Sequence, residues 1–383
     1  MTQPAAAATT TTAVSTLEIN LDALTHNVRA IRAHIGPDLQ LVAVVKANAY
    51  GHGLVPAGRT AIAAGADRLA VVRVTEGQAL RAGGIQAPVL IMGYSIPAEA
   101  APVVAFDLAA AVGDWSSVAA LSAQAVAQGK TALIHVKVDT GMGRFGLLPD
   151  EVLPFLDRVA ALPSVQVEGI FTHFATADAT DKTYTHQQFA ALTGVIQAAQ
   201  TAGYEIPIRH AANSGAILDL LPEMKLTAVR SGIMLYGMYP SDEVGQHIPL
   251  VPALRIKSHV ARVRTLPAGA SIGYDRSFIT SHEMPVALVP VGYGDGYPRF
   301  LTGKTQVLIN GQRVPNVGRV CMDQFVVDIS GIGPVALNDE VVLLGAQGDD
   351  NITAEELADW AGTINYAITT NLSARMPRIY SGG

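Results

Sequence analysis

Eight times between about residue 40 and residue 236, a short β-branched apolar run gives way to a polar or glycine turn and then an Ala/Leu-rich stretch. The runs are Leu41–Val45, Leu69–Val72, Val89–Met92, Leu108–Val112, Ala132–Val138, Val165–Phe171, Ile206–Ile208 and Thr227–Val229. Helical stretches such as Trp115–Gln128, Glu151–Ala161 and His186–Thr201 fall between them. Strands that alternate with helices pair in parallel, because each helix carries the chain back to the starting edge. Eight such units in roughly 200 to 250 residues fit a closed (β/α)8 barrel of the TIM type better than an open sheet. No Gly-x-Gly-x-x-Gly turn follows a first strand, which counts against the open dinucleotide-binding alternative.

After about Pro249 the pattern changes. Leu254–Arg264, Val286–Val291, Thr305–Val314, Asp323–Ile329 and Glu340–Leu344 read as strands joined by short turns. Asn310-Gly311 is a hairpin signal, since both positions tolerate positive φ. Thr353-Ala-Glu-Glu356 reads as a capping box opening one late helix, Ala354 to about Gly362. The expected organisation is a disordered tail at 1–13, a barrel at 14–249 and a mostly antiparallel β domain at 250–383. Thr16–Asn20 is strand-like, precedes the barrel pattern, and is free to pair with the second domain.

With a net charge of −6 and dispersed charges, the chain is not expected to bind nucleic acid or an acidic membrane. No apolar run is long enough to span a bilayer. The Ala/Thr-rich start lacks the basic residues and apolar block of a secretory signal. Cys321 is the only cysteine, so no internal disulfide forms and a reducing, cytoplasmic compartment is expected.

The barrel reading directs attention to the C-terminal ends of the strands, where such folds keep their chemistry. The first run empties into Lys46-Ala-Asn-Ala-Tyr50-Gly-His-Gly, a lysine followed by a glycine-punctuated turn. A partly desolvated lysine favours the neutral amine, which attacks carbonyls and forms Schiff bases, so pyridoxal 5'-phosphate is the expected cofactor. The fifth run carries Lys137, Asp139 and Arg144, and the sixth His173. The seventh carries Asn213, Ser214 and Gly215, and the eighth Arg230, Ser231, Gly232 and Ile233. Singly, His173 also fits a hydrogen-bonded core histidine, Arg230 a strand-end salt bridge and Asn213-Ser214-Gly215 a helix cap. Their clustering at one rim is what those separate readings leave unexplained. The loops after the last two runs are the usual phosphate cradle of a barrel. In the second half, Tyr274 and Tyr293 sit between glycines or turn residues, and Met322 lies in Gly318-Arg-Val-Cys-Met-Asp323.

Four motifs resemble the alanine racemase family, the two-domain fold-type III pyridoxal-phosphate enzymes. They are Val-Val-Lys-Ala-Asn-Ala-Tyr-Gly-His-Gly, Asp-Thr-Gly-Met-Gly-Arg-Phe-Gly, Arg-Ser-Gly-Ile-Met-Leu-Tyr-Gly and Gly-Arg-Val-Cys-Met-Asp-Gln, and the likeness runs from about Leu17 to Tyr380. The resemblance implies an enzyme that interconverts L- and D-alanine and supplies D-alanine for cell-wall synthesis. It implies that Lys46 holds the cofactor and is one base, and that Tyr274, contributed by the partner subunit of a homodimer, is the other. By the same resemblance Arg230 bonds the pyridine nitrogen, and His173 lies between Arg230 and Tyr274. Tyr50, Ser214, Gly232 and Ile233 hold the phosphate, with Asn213 beside them. Arg144 meets the ring hydroxyl and the substrate carboxylate, a carbamylated Lys137 orients Arg144, Met322 offers its N–H to the carboxylate, and Tyr293 lines the entrance.

Inverting Cα needs a proton removed on one face and returned on the other, so two bases must flank it. Lysine and tyrosine have reference pKa values of about 10, and burial, with a cationic Arg230 and His173 nearby, is expected to bring them into range. Where most family members have Ser-Tyr-Arg, this chain has Ser373-Ala374-Arg375, so a roomier substrate pocket and serine or broader racemisation are the alternative expectation. An unmodified Lys137 paired with Asp139 is the alternative to carbamylation. Rival readings are a decarboxylase or a zinc-dependent lyase on the same scaffold, a non-catalytic pyridoxal-phosphate carrier, or a sugar- or phosphate-binding barrel. No close His/Cys pair near the C-terminus offers zinc ligands, and no metal is expected.

Overall fold

A computed structural model of the chain describes residues 13–383, and it divides into two compact units. The expected tail lies, apart from its last residue, outside the described residues. One unit is Asn20–Ala253 with Gly382–Gly383; the other joins the described residues up to Ile19 to Leu254–Ser381.

The first strand of the chain is β1 (Ser15–Asn20). The eight that follow are β2 (Gln40–Val44), β3 (Arg68–Val71), β4 (Val89–Ile91), β5 (Ala109–Val112), β6 (Ala132–Lys137), β7 (Val165–Phe171), β8 (Ile208–His210) and β9 (Ala228–Ser231). These close into a parallel barrel in sequence order, with β2 pairing back onto β9 from Gln40↔Ala228 to Ala43↔Ser231. All eight overlap the predicted runs. Strands covered on both faces read as unbroken apolar stretches, as Leu41, Val42, Ala43 and Val44 do, each 5% exposed or less. Burying each such Leu or Val contributes about 1.5–3 kcal/mol. The seventh strand starts later than predicted, at Ile208, because Pro207 has no N–H to give to a ladder. Between the strands run helices with ordinary caps: Asn20 accepts from the Asp22 and Ala23 N–H groups ahead of Leu21–Ile35, and Asp114 from Ser117 ahead of Trp115–Ala127.

The other unit contains ten strands in one sheet. Its members are β1, β10 (Leu254–His259), β11 (Arg262–Leu266), β14 (Met284–Val289), β15 (Gln306–Ile309), β16 (Gln312–Val317), β17 (Phe325–Asp328), β18 (Glu340–Gln347), β19 (Asp350–Ile352) and β20 (Arg378–Ser381). The order is β11-β14-β17-β16-β15-β18-β10-β1-β20, with β19 on β18, and the pairs from β11 through to β1, with β18/β19, run antiparallel. β1 pairs with β10, from Ser15↔Ser258 to Ile19↔Leu254. A separate hairpin joins β12 (Ser271–Ile272) to β13 (Phe278–Ile279).

The single predicted strand Leu254–Arg264 is two. Val260 and Ala261 break it, donating to Asp339 and Leu288 respectively, so that β10 serves one part of the sheet and β11 the opposite edge. Asn310 (φ 54°) and Gly311 (φ 73°) make the expected two-residue hairpin turn between β15 and β16. The capping box is only half formed. Thr353 accepts the Glu356 N–H at 3.1 Å, but the Glu356 carboxylate is taken by Arg313. Among the described residues, no helix is long and apolar enough to cross a membrane, and no group of three His, Cys, Asp or Glu side chains is placed to hold a metal ion.

Candidate active site

Lys46 leaves β2 into a backbone that the sequence did not announce. Ala47, Asn48, Ala49 and Tyr50 all have φ between 52° and 54°, one turn of left-handed helix built from L-residues other than glycine. Each such residue costs about 1–2 kcal/mol. Three contacts hold the turn. The Glu76 carboxylate accepts the Ala47 N–H at 2.7 Å, and its other oxygen takes the Val72 and Arg73 N–H groups. Asn48 Oδ1 accepts the Leu54 N–H at 2.8 Å. The buried Tyr50 ring packs 5.0 Å from that of Tyr236, whose hydroxyl donates to Val44 O. One turn apart, Lys46 and Tyr50 share a face, and the Lys46 amine lies 6.0 Å from the Tyr50 ring. Glu76 carries no sequence signal beyond that of an ordinary first-turn glutamate, and sequence reasoning missed it.

Burial lowers the pKa of Lys46, and the Arg144 and Arg230 charges add to that against an opposing pull from Glu76. Arg144 is exposed at the tip of the loop after β6. The Asp139 carboxylate braces the loop by accepting the Gly141 and Gly143 N–H groups, and Leu147 donates back to Lys137 O. Asp139 is thus committed to its own turn, and the buried Lys137 amine donates instead to Val138 O at 2.8 Å, between the Phe145 and Phe171 rings. Burial brings the Lys137 amine down to about 8.

Arg230 is 3% exposed, and burial draws its guanidinium down to about 9, still cationic at neutral pH. It donates to Thr172 O, Ala211 O, His210 Nδ1 and, at 3.2 Å, His173 Nδ1. The expectation of a cationic His173 is not met. Its imidazole is largely desolvated, which, with the charges of Arg230, Arg144, Lys46 and Lys137 adding to it, holds its pKa well below the ordinary histidine value. Accepting from Arg230 at Nδ1 leaves its proton on Nε2.

Asn213 Oδ1 caps the short helix Ser214–Asp219 by accepting the Ala216 N–H, so its side-chain oxygen is already in use. Ser214 Oγ accepts the Gly232 N–H at 3.1 Å and keeps its own O–H to donate. A Cβ at Gly232 would fall 2.6 Å from the Tyr50 hydroxyl, so only glycine leaves that hydroxyl room. Ile233 opens the 3-10 turn Ile233–Tyr236. The barrel therefore gathers Lys46, Tyr50, Ser214, Gly232 and Ile233 around one edge, with Arg230, His173 and Lys137 beneath.

In the β unit, the segment 318–323, which carries Met322, is met by the turn of Tyr274, by Tyr293 and by Arg375, the residue after Ala374. Tyr274 stands on the turn between β12 and β13, 72% exposed, with Asp275 and Arg276 in the left-handed region and Asp275 paired to Arg319 at 2.7 Å. Tyr293 and Gly294 donate to Cys321 O and Met322 O. Ala374 is exposed, and next to it Arg375 pairs with Asp323 at 2.7 Å and with the buried Asp295 at 3.4 Å.

Comparison with known proteins accounts for both units. Residues 19–240 match the family model for the alanine racemase N-terminal domain, and residues 253–380 that for the C-terminal domain. The alanine racemase of Desulforamulus reducens is 44% identical over 95% of this chain and 98% of its own. That of Symbiobacterium thermophilum is 46% identical over 95% of this chain and 96% of its own. Among solved structures, Clostridium difficile 630 alanine racemase aligns with a TM-score of 0.93 at 36% identity, over 97% of this chain and 96% of its own. The Bacillus anthracis enzyme with bound L-Ala-P aligns at 0.92 and 38% identity, over 97% and 96%. With two domain matches in order, full-length relatives and the same barrel and sheet, the chain belongs to the alanine racemase family.

Proposed function

We propose that the chain interconverts L- and D-alanine with pyridoxal 5'-phosphate bound at the barrel edge. One observation carries the reading: an amine poised toward its neutral form, Lys46, shares its pocket with a buried arginine and a hydroxyl-lined cradle. The residues suit the cofactor. Tyr50, Ser214, Gly232 and Ile233 would hold its phosphate, Arg230 its ring nitrogen, and Arg144 its ring hydroxyl. When bound, the cofactor supplies an aldehyde for amines and a ring that draws electrons from Cα.

The protein's part is proton transfer and orientation. Lys46 Nζ takes or returns the Cα proton on one face, and Tyr274 does so on the other, as phenolate when it takes the proton and as phenol when it gives one. Arg230 donates hydrogen bonds and stays cationic at neutral pH, so it would leave a ring nitrogen that it bonds unprotonated and would restrain electron withdrawal. That would favour prompt return of the proton to Cα by Lys46 or Tyr274. Neutral His173, with its proton on Nε2, is a hydrogen-bond donor and adds no second cation. Tyr274 stands exposed on its own unit, which supports a base that completes the site of a second copy. Arg144 and Met322 would bind the substrate carboxylate, with Tyr293 at the entrance.

The test is direct. Borohydride should fix pyridoxal phosphate to Lys46, located by peptide mapping, and the optical activity of pure L-alanine should decay to zero with the protein. A label on another lysine, or alanine that keeps its rotation, would remove the reading.

The burial of Lys137 supports its carbamylation. With its pKa near 8, a usable fraction of the amine is neutral and nucleophilic toward CO2 at neutral pH. An unmodified Lys137 destabilises the fold fully below about 8, and the penalty fades as pH rises toward the ordinary value of 10.5, because the unfolded chain binds the extra proton in that window. A carbamate removes that penalty and sets an anion near Arg144. Intact mass is expected to exceed the sequence mass by one CO2 and to lose it on acidification; an unmodified mass from a gently handled sample would reject it.

Ala374 supports broader tolerance alongside alanine. Ala374→Tyr is expected to lower serine racemisation relative to alanine by about tenfold, the scale of one pocket group. Equal ratios in the two proteins would leave Ala374 without a part in selectivity.

A further inference from the structure

A (β/α)8 barrel usually fills its interior with branched apolar side chains. Here a polar chain crosses it. Arg230 Nη1 lies 2.9 Å from His210 Nδ1, His210 Nε2 lies 2.9 Å from His135 Nδ1, and His135 Nε2 lies 2.9 Å from a Glu168 oxygen. Arg68 closes the chain by clamping both Glu168 oxygens, at 2.8 and 2.9 Å, and it also donates to Gln40. The strands make space for the chain. The β6–β7 register slips at Ile134/His135 and sets His135 opposite Gly169, where any Cβ would fall 2.3 Å from the imidazole. Phe171 stacks on His210 at 4.7 Å.

The two ends of this chain fix its direction. Arginine only donates and a carboxylate only accepts. His210 Nδ1 must therefore accept, which puts its proton on Nε2. His135 Nδ1 must then accept from it, which puts the His135 proton on Nε2, facing Glu168. A second proton on either ring would set donor against donor, so both histidines are neutral Nε2–H tautomers on geometry alone.

We propose that Glu168, held by Arg68, is a positioning residue for Arg230 and acts through the locked tautomers of His135 and His210. The identity of the group that Arg230 serves rests on the proposed function; the tautomers do not. Exchanging the pair, Arg68→Glu with Glu168→Lys, supplies the contrast. Glu168 Oε2 serves both Arg68 and His135 in the wild type, and the exchange keeps an ion pair while setting a donor-only amine at that place. His135 Nε2 must then accept, both rings reverse, and His210 presents Nδ1–H to Arg230, where the bond is lost.

The experiment is 15N NMR of the histidine-labelled full-length protein, with and without pyridoxal phosphate, with His135 and His210 assigned by substitution. Both rings are expected as neutral Nε2–H in the wild type and reversed in the exchanged pair. In the holoenzyme the exchange should lower kcat by about tenfold or more, the scale of a lost charged hydrogen bond, with a smaller change in KM. Arg68→Gln keeps the acceptor-only carboxylate and should keep both wild-type tautomers. A doubly protonated or Nδ1–H ring in the wild type overturns the proposal even if the exchanged pair does not fold. So does a folded exchanged pair with tautomers and kcat unchanged, or an Arg68→Gln with reversed rings. If the protein binds no pyridoxal phosphate, the functional reading fails while the tautomer measurement still decides this one.

Discussion

Mixing Lys46→Ala protein with Tyr274→Phe protein, each nearly inactive alone, is expected to restore about a quarter of the wild-type racemase activity. Each substitution removes one of the two proton carriers, and the loss of one acid–base group typically costs about 10²–10⁴-fold. If Tyr274 serves the partner's barrel, a heterodimer holds one site with neither base and one with both. Random exchange makes half of the dimers hybrid, and half of their sites intact, hence the quarter. If Tyr274 serves its own barrel, no hybrid site has both bases and the mixture stays at the sum of its parts. Subunit exchange is verified with two differently tagged proteins. Exchange without recovery would place both bases in one chain and end the trans arrangement. The physical motive for the experiment is the exposure of Tyr274: a base with 72% of its surface in water needs further enclosure to work at a desolvated Cα.

What the chain discloses in advance depends on how local the causes are. The barrel strands were legible because burial on both faces writes itself as an apolar run, as in Leu41–Val45 or Val165–Phe171. The break at Val260-Ala261 was not, because nothing local says that β10 and β11 serve different parts of the sheet. Lys46, Arg144, Ser214 and Arg230 stood out because strand-end position and residue type coincide. His135, Glu168 and His210 did not. Each lies within an ordinary strand, and only barrel closure brings residues 75 apart, such as His135 and His210, into hydrogen-bonding range. The charge of His173 was misjudged for the same reason: its desolvation and the basic groups around it are tertiary facts.

The left-handed turn after Lys46 is the sharpest such case and supports the second large prediction. Ala47-Asn48-Ala49 has no left-handed preference except at Asn48, so the fold imposes the conformation through Glu76, Leu54 and Tyr236. Asn48→Val is expected to destabilise the cofactor-free protein by about 2–4 kcal/mol, combining a β-branched residue at positive φ with loss of the cap on Leu54. It should also lower kcat by about 10²-fold, because a shift of about 1 Å in a reacting group has that effect. Asn48→Gly separates the two causes. It loses the cap but suits the φ of 54°, so it should cost about 1 kcal/mol and far less activity. Thermal unfolding of the cofactor-free proteins and kcat of the holoenzymes give both readouts. If Val and Gly behaved alike, backbone handedness would have no part in aiming Lys46, and the cap alone would explain the loss. The expected gap ties the chemistry to a backbone cost. Four residues held at positive φ turn Lys46 and Tyr50 onto one face, as the proposed roles of the amine at Cα and the phenol at the phosphate require.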